Sequence, residues 1–416
     1  MDHPKYRIPT YPAIAPAQRH RIVPWVGAFL RRAAAGLIAA ALAHGAAAAS
    51  SPAAWKIGAY LANPNPTDAG AAATYAANYQ GFSQAMGLAP MLIDVYVDYT
   101  QPVSSWVANA SYQAWCNAQT PDAKALIPVI GFPMASLASG SASADAQFQA
   151  FAAGTYDSVI TGVVQAWVAQ GFKDLKFRVG WEMNIEGNTY AGDSAQSQAD
   201  WVAAFKHIYL VMHEAANAAG VSLQVAWNPN VTNYTNAEAT TNLYPGDGYV
   251  DIVAADMYAN MYPFSDSSGA PTYHDWVSGG EDTTLAQFIA KPGNRSHYWS
   301  YPAATKWSLD SSGGHSQSLT SLLQFALAHH KPFALPEVGA GDSQSGHDVS
   351  DDPTFPQWLA AQLQAAQQAG LTIYFVNIWD VNADGNYQFS TAADGKPQEA
   401  AAWKAAIAAI SYPNAP

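Results

Sequence analysis

Three observations predict a (β/α)8 barrel, an α/β TIM-barrel fold. Eight short apolar segments alternate along the chain with stretches of helical periodicity, the order that builds a parallel sheet covered by helices. Those segments are apolar on both alternations instead of in–out, as strands buried on both faces are. An open doubly wound sheet would want a Gly-rich phosphate turn after its first strand, and Gly58-Ala59-Tyr60-Leu61-Ala62-Asn63 is not one.

The candidate strands are Trp55–Tyr60, Met91–Val97, Ala125–Phe132, Leu175–Glu182, Leu223–Asn228, Ile252–Tyr258, Phe333–Glu337 and Ile373–Trp379. Helices are expected at Ala71–Met86, Ser104–Ala118, Ala144–Ala169, Ala199–Ala219, Ser316–His330, Phe355–Ala369 and Gln398–Ile410. The fourth is the clearest: Trp201, Phe205, Ile208 and Met212 recur on one face, and Gly220 follows where a C-terminal glycine belongs. Residues 260–309, rich in Gly, Ser, Pro and aromatics, read as one long irregular connection after the sixth strand. In a barrel that connection lies on the catalytic face.

Residues 1–49 differ from the rest. Lys5, Arg7, Arg19, Arg21, Arg31 and Arg32 precede an Ala/Leu-rich run ending in small residues. A basic leader, a short apolar core and a small-residue exit form a secretory signal, and Arg31-Arg32 allows a twin-arginine variant. Residues 50–416 are then one catalytic domain of an exported protein, secreted or periplasmic. Without the leader, 12 basic and 30 acidic side chains remain. Such an acidic surface argues against nucleic acid and anionic membranes, and the run is too short and Ala-dominated to span a bilayer. Cys116 is the one cysteine, which excludes an internal disulfide and reads as a small core residue.

Two strands carry a charge at their carboxyl ends. Phe177-Arg178-Val179-Gly180-Trp181-Glu182-Met183-Asn184 runs into Glu182, and Pro332-Phe333-Ala334-Leu335-Pro336-Glu337-Val338-Gly339 runs into Glu337. An ionisable group ending a buried strand is costly unless a cleft uses it, and barrel active sites are built on that face. A glutamate from each of two strands, facing one groove, is what two-carboxylate glycoside chemistry requires. Arg178 precedes Glu182 by four residues, so strand alternation puts both on one side. A barrel arginine needs a carboxylate partner. Arg178 is expected to support Glu337, directly or through a neighbour, or else to pair with Asp94.

The Arg178–Asn184 segment resembles the fourth-strand motif of glycoside hydrolase family 26, the β-mannanase family of glycoside hydrolase clan A. Ala226-Trp227-Asn228-Pro229-Asn230 is similar to that family's fifth strand. Tyr244-Pro245-Gly246-Asp247, with Tyr249–Val253 and Asp256-Met257-Tyr258, is similar to the sixth, and Pro336-Glu337-Val338-Gly339 to the nucleophile strand. The similarity spans about residues 55–410. It implies a retaining, endo-acting hydrolase of a β-1,4-mannan or related polysaccharide, with Glu337 as nucleophile and Glu182 as acid/base. One departure stands out: mannanases of the family carry His immediately before the acid/base, and this chain carries Trp181. A β-glucan or a bacterial exopolysaccharide is the alternative substrate, and a non-catalytic carbohydrate-binding barrel the alternative role.

The resemblance makes Tyr258 a donor to the nucleophile, with a satisfied core tyrosine as the competing reading. Trp379 and Trp227 are candidate platforms for sugar rings, and Trp181, Asn184 and Asn228 candidate substrate contacts. Glu186 ranks second to Glu182 as acid. Asp380, Asn382, Asp384 and Gly385 copy half a calcium loop, but Thr391 stands where the closing Glu belongs. The histidines show no paired ligand spacing and no G-x-S-x-G elbow occurs, so neither metal, cofactor nor esterase chemistry is expected. The expected partner is a polysaccharide or oligosaccharide; nothing in the sequence sets an oligomeric state.

Overall fold

The computed structural model describes residues 55–68, 70–121, 123–185, 195–231, 240–261, 264–265, 271–275, 277–291, 293–300, 318–341, 351–382, 385–391 and 395–408. Residues 1–49, Glu186 and Asp384 lie outside them.

Eight parallel strands close into a barrel. They are β1 (Lys56–Tyr60), β2 (Leu92–Tyr96), β3 (Ile127–Phe132), β4 (Asp174–Val179), β5 (Ser222–Trp227), β6 (Ile252–Tyr258), β10 (Phe333–Gly339) and β11 (Ile373–Trp379). Around the barrel they run β1-β11-β10-β6-β5-β4-β3-β2. Between β6 and β10 come three short antiparallel strands, β7 (Phe264–Ser265), β8 (Pro271–Asp275) and β9 (Gly280–Asp282), then helices Leu285–Ile289 and Asn294–Ser300. The connection expected to be irregular is thus partly ordered. A polar knot holds it: the buried Asp275 carboxylate accepts from Lys291 Nζ at 2.6 Å and Asn294 Nδ2 at 3.2 Å. Lys291 in turn reaches Asp282 at 2.5 Å.

The core has two layers, as the doubly apolar strands require. Leu92, Ile127, Val129, Ala226, Ile252, Ala254, Ala334 and Phe375 fill the barrel. Outward-facing strand residues and the helices form the larger layer, anchored by Trp106, Trp167, Trp201 and Trp227. At the barrel's N-terminal end Lys176 pairs with Asp174, and Lys56 and Lys176 both lie about 5 Å from the Tyr374 ring centroid. That face contributes stability, in contrast with the opposite one.

Most helices fall where periodicity places them, with one division. The helix expected over 144–169 is two, Ala144–Ala152 and Asp157–Ala169. Gly154 takes a left-handed φ of 79° between them, a conformation that ends a helix. Ser318 and Ser321 form a reciprocal capping box that starts helix Leu319–Ala328 three residues after the expected boundary.

Two irregularities set the mouth of the barrel. The first is in β10. Its pairing with β6 shifts register between Ala334 and Glu337, and its pairing with β11 between Leu335 and Val338. Pro336 lies inside both shifts and has no N–H to give a ladder. Strict alternation from the inward Ala334 would aim residue 337 outward. The bulge adds one residue and turns Glu337 inward.

The second is after β4, which ends at Val179 and not at Glu182. Gly180 and Glu182 both have φ of 54°, and Glu182 is carried on a turn, its N–H donating to Asn228 O at 2.7 Å. Strand alternation therefore does not place Glu182 on the side of Arg178; the turn does. A glutamate in the left-handed region costs on the order of 1–3 kcal/mol, strain of the kind found at functional sites. At Gly180 a Cβ would lie 2.6 Å from Met134 Sδ and 3.1 Å from the Trp201 ring. Gly180→Ala is expected to destabilise by about 2–4 kcal/mol through strain and overpacking, read as a lowered Tm.

Candidate active site

Arg178 is fully buried at the centre of the barrel mouth, and all of its donor nitrogens are engaged. Nε donates to Asn228 Oδ1 at 2.8 Å. Nη1 donates to Asp94 Oδ2 at 2.9 Å and to Tyr96 Oη at 2.6 Å. Nη2 donates to Asp256 Oδ2 at 2.5 Å and to Glu337 Oε1 at 2.6 Å. The two partners expected of Arg178, Glu337 and Asp94, are both present, with Asp256 as a third. One cation faces three carboxylates here. Burial, opposed by Arg178, pushes Asp94 up to about 7 and Asp256 well above the ordinary carboxylate range.

Glu337 is 6% exposed. Oε1 receives Arg178 and lies 2.6 Å from Tyr96 Oη, while Oε2 accepts from Tyr258 Oη at 2.6 Å. Three donors from β2, β4 and β6 thus fix both oxygens of a carboxyl group on β10. Bonds of this length from a guanidinium and two phenols hold the carboxyl group in one orientation. Burial raises the Tyr258 and Tyr96 phenols well above their usual range, so both stay protonated donors.

Glu182 is placed differently. Its Oε1 accepts from Asn230 Nδ2 at 2.7 Å. Burial first, and the charge of Glu337 second, push it from 4.5 up to about 7. One oxygen each from Glu182, Asp256 and Glu337 lie within 4.8 Å of one another. Three carboxylates at that spacing could grip a hard cation, but Arg178 Nη2 already bonds two of them. A guanidinium already occupies the oxygens a cation would need, so the set does not fit a resident metal.

The other expected contacts divide. Asn184 is fully buried and clamps residue 230, its Oδ1 accepting from Asn230 N at 2.8 Å and its Nδ2 donating to Asn230 O at 2.9 Å. Asn228, also fully buried, holds Arg178. Both support the two glutamates from below instead of facing sugar hydroxyls. Trp227 is a correction: its side chain points outward into the helix layer, packs on Tyr244 and Phe325, and donates to Leu243 O at 3.0 Å. Fully buried there, it is core and not a sugar platform.

Trp181 and Trp379 do reach the mouth. The Trp181 ring lies 5.1 Å from Tyr96 and 5.9 Å from the Arg178 guanidinium. Half-buried Trp379 stacks on Tyr60 at 3.9 Å, with Tyr258 at 6.2 Å edge-on. Asp380, the first residue of the half calcium loop, is buried and accepts from the Phe389 and Ser390 amides.

Sequence reasoning missed Tyr96, Asn230, Tyr60 and Tyr387. Tyr387 packs 4.9 Å from Tyr258 and so close to Gly341 that a Cβ there would lie 2.3 Å from its ring. Asn230 had a usable signal, its position two residues beyond Asn228 at the end of β5. An isolated β-bridge to Asp256 holds it there.

The closed parallel barrel brings Glu182 and Glu337 together at one mouth. The sequence profile of Glycosyl hydrolase family 26 matches residues 168–289, a stretch that contains β4, Glu182, β5, Asn230 and β6 but not Glu337. The similarity to that family thus covers 122 of the chain's 416 residues. No curated protein sequence matches the chain. Among solved structures, GH26C from Muricauda sp. is 14% identical with a TM-score of 0.48, over 86% of each chain. A modular endo-β-1,4-mannanase from Cellulomonas fimi is 14% identical with a TM-score of 0.45, over 78% of this chain and 65% of that enzyme.

Proposed function

We propose that the protein is an exported, retaining, endo-acting glycoside hydrolase of a β-1,4-mannan or a related β-linked polysaccharide. The observation that carries the reading is the pairing itself: Glu337, held by three hydrogen-bonding neighbours, with a carboxyl oxygen of Glu182 within 4.8 Å. Retaining pairs stand about 5–5.5 Å apart and inverting pairs about 6.5–9.5 Å, to admit a water. An oxygen of each within 4.8 Å of the other is compatible with the retaining spacing, and retention itself rests on the family resemblance.

In the first step Glu337 attacks the anomeric carbon, the glycosidic C–O bond breaks, and Glu182 gives its proton to the departing oxygen. Glu182, now a carboxylate, then takes a proton from water as that water attacks the same carbon and frees Glu337. Trp379, Trp181 and Tyr387 supply aromatic wall around the attacked sugar. Trp181, standing where the family's mannanases carry His, favours a second reading in which the same chemistry acts on a β-glucan or an exopolysaccharide.

A panel of mannans, glucans and exopolysaccharides, assayed for new reducing ends, tests the reading. Release from one polymer by the wild type and none by Glu337→Ala supports it; binding without release would make the barrel a carbohydrate-binding protein. Export is tested by the N-terminus of protein recovered outside the cytoplasm, expected near residue 50.

The pH dependence follows from Glu182. It must be protonated to act as acid, and its pKa is raised from 4.5 to about 7. The rate kcat/KM is expected to fall as pH rises through about 7, by about tenfold per pH unit beyond it. Because the fold binds this proton more tightly than the unfolded chain, its contribution to stability is present below 4.5 and lost as pH rises through about 7. A basic limb near pH 7 in a kcat/KM profile is the check.

A further inference from the structure

The hydroxyl of Tyr96 has more neighbours than it has protons. Its oxygen lies 2.6 Å from Asp94 Oδ2, 2.6 Å from Glu337 Oε1 and 2.6 Å from Arg178 Nη1. A phenol offers one proton and two lone pairs. Arg178 donates into one lone pair. The single phenolic proton can serve one carboxylate, which leaves a second oxygen–oxygen contact of hydrogen-bond length without a hydrogen. Two ionised carboxylates cannot supply it, so one of them carries a proton.

Glu337 is the poor candidate, since it already accepts from Tyr258 and Arg178. Asp94 is the good one. It is fully buried, and its second oxygen, Oδ1, has no hydrogen-bond partner among the described residues. An ionised carboxylate left half unsolvated in that way is costly, whereas a neutral one is far less so. The charge balance agrees, because Asp94, Asp256 and Glu337 share the one guanidinium. Burial also pushes Asp94 up to about 7.

We propose that Asp94 is protonated in the resting protein and donates to Tyr96 Oη, which commits the Tyr96 proton to Glu337. Asp94 is then a positioning residue that acts through Tyr96 on the nucleophile. Should Asp94 ionise, a second anion competes for the same phenolic proton and Glu337 loses a donor. The charged or titratable groups facing Asp94 are Tyr96 on its own strand, Arg178 from β4 and Glu337 from β10; Asp256 from β6 faces the same guanidinium. The phenol cannot swing away. A Cβ at Gly131 would lie 2.5 Å from the Tyr96 ring and 3.3 Å from Trp181, so the three are in close packing.

The catalytic consequence rests on the proposed function, but the protonation state does not, and it is read without substrate. The experiment is an infrared difference spectrum of the substrate-free protein, wild type against Asp94→Asn, at about pH 5.5 and again about two units above neutrality. A protonated-carboxyl carbonyl band present in the wild type, absent from Asp94→Asn and lost at the higher pH is the expected result. No such difference at the lower pH would show Asp94 ionised and overturn the proposal. Tyr96→Phe supplies a second reading if Asp94→Asn fails to fold: removing the acceptor should move that band to higher frequency, and carboxyl bands left unmoved would overturn the proposal equally. If the infrared result holds and no polysaccharide is cleaved, the failure lies with the functional reading and not with the proton.

Discussion

Glu337→Gln is expected to reduce turnover by on the order of 10⁴- to 10⁶-fold, the scale on which loss of a nucleophile acts, while leaving the fold in place. The amide is nearly the same shape as the carboxylate. Its carbonyl oxygen can take the position of Oε1 and accept from Arg178 and Tyr96. Its NH2 then faces Tyr258 Oη, which has lone pairs to receive it. What is lost is the negative charge and the ability to form a glycosyl ester. Arg178 keeps Asp94 and Asp256 as partners, so no buried cation is stranded. The checks are kcat on an activated aryl glycoside and a thermal melt. A Glu182→Ala variant should behave differently on the same substrate, because a good leaving group needs little protonation. If both variants lost activity equally on aryl glycoside and polymer, the two roles would not be distinct.

The second large effect is structural. Arg178→Leu is expected to destabilise the protein by about 3–5 kcal/mol, the cost of removing one side of a buried ionic network. That is a fall of roughly 6–20 °C in Tm at about 2–4 °C per kcal/mol. Five hydrogen bonds end on this guanidinium, and without it three carboxylates face one another in a buried space. Protonation of Asp94 and Asp256 would relieve the repulsion, so the variant should be most impaired at high pH. Arg178→Lys restores charge but not geometry, since an ammonium cannot span Asn228, Asp94, Asp256 and Glu337 as the planar fork does. It should recover part of the stability and little of the activity. A wild-type Tm in Arg178→Leu would remove the network from the account of the fold.

The barrel was legible because its cause is local. Strands buried on two faces must be apolar throughout, and eight such runs cannot be hidden in the sequence. The positions of the two glutamates were legible from their charge at the ends of those runs, yet their settings were not. Glu337 faces inward because of a bulge at Pro336, and Glu182 owes its direction to a turn with left-handed residues. Alternation arguments do not see either feature.

Tyr96 went unnoticed because Leu92-Ile93-Asp94-Val95-Tyr96 reads as one more core strand, and only barrel closure brings it to Glu337, 241 residues away. Trp227 misled for the opposite reason. Next to Asn228 in a motif that resembles a catalytic strand, it looks like part of a cleft, but neighbouring residues of a strand face opposite sides. Asn228 points in, so Trp227 points out.

The claim on which the rest depends is that Glu337 becomes covalently bonded to the sugar while Glu182 passes the proton. Incubation with a 2-deoxy-2-fluoro glycoside bearing an activated leaving group, followed by mass mapping of the peptides, tests it most directly. The slowed second step should leave one glycosyl adduct, on Glu337 and absent from Glu337→Gln. An adduct on Glu182, or on any other residue, would contradict the account.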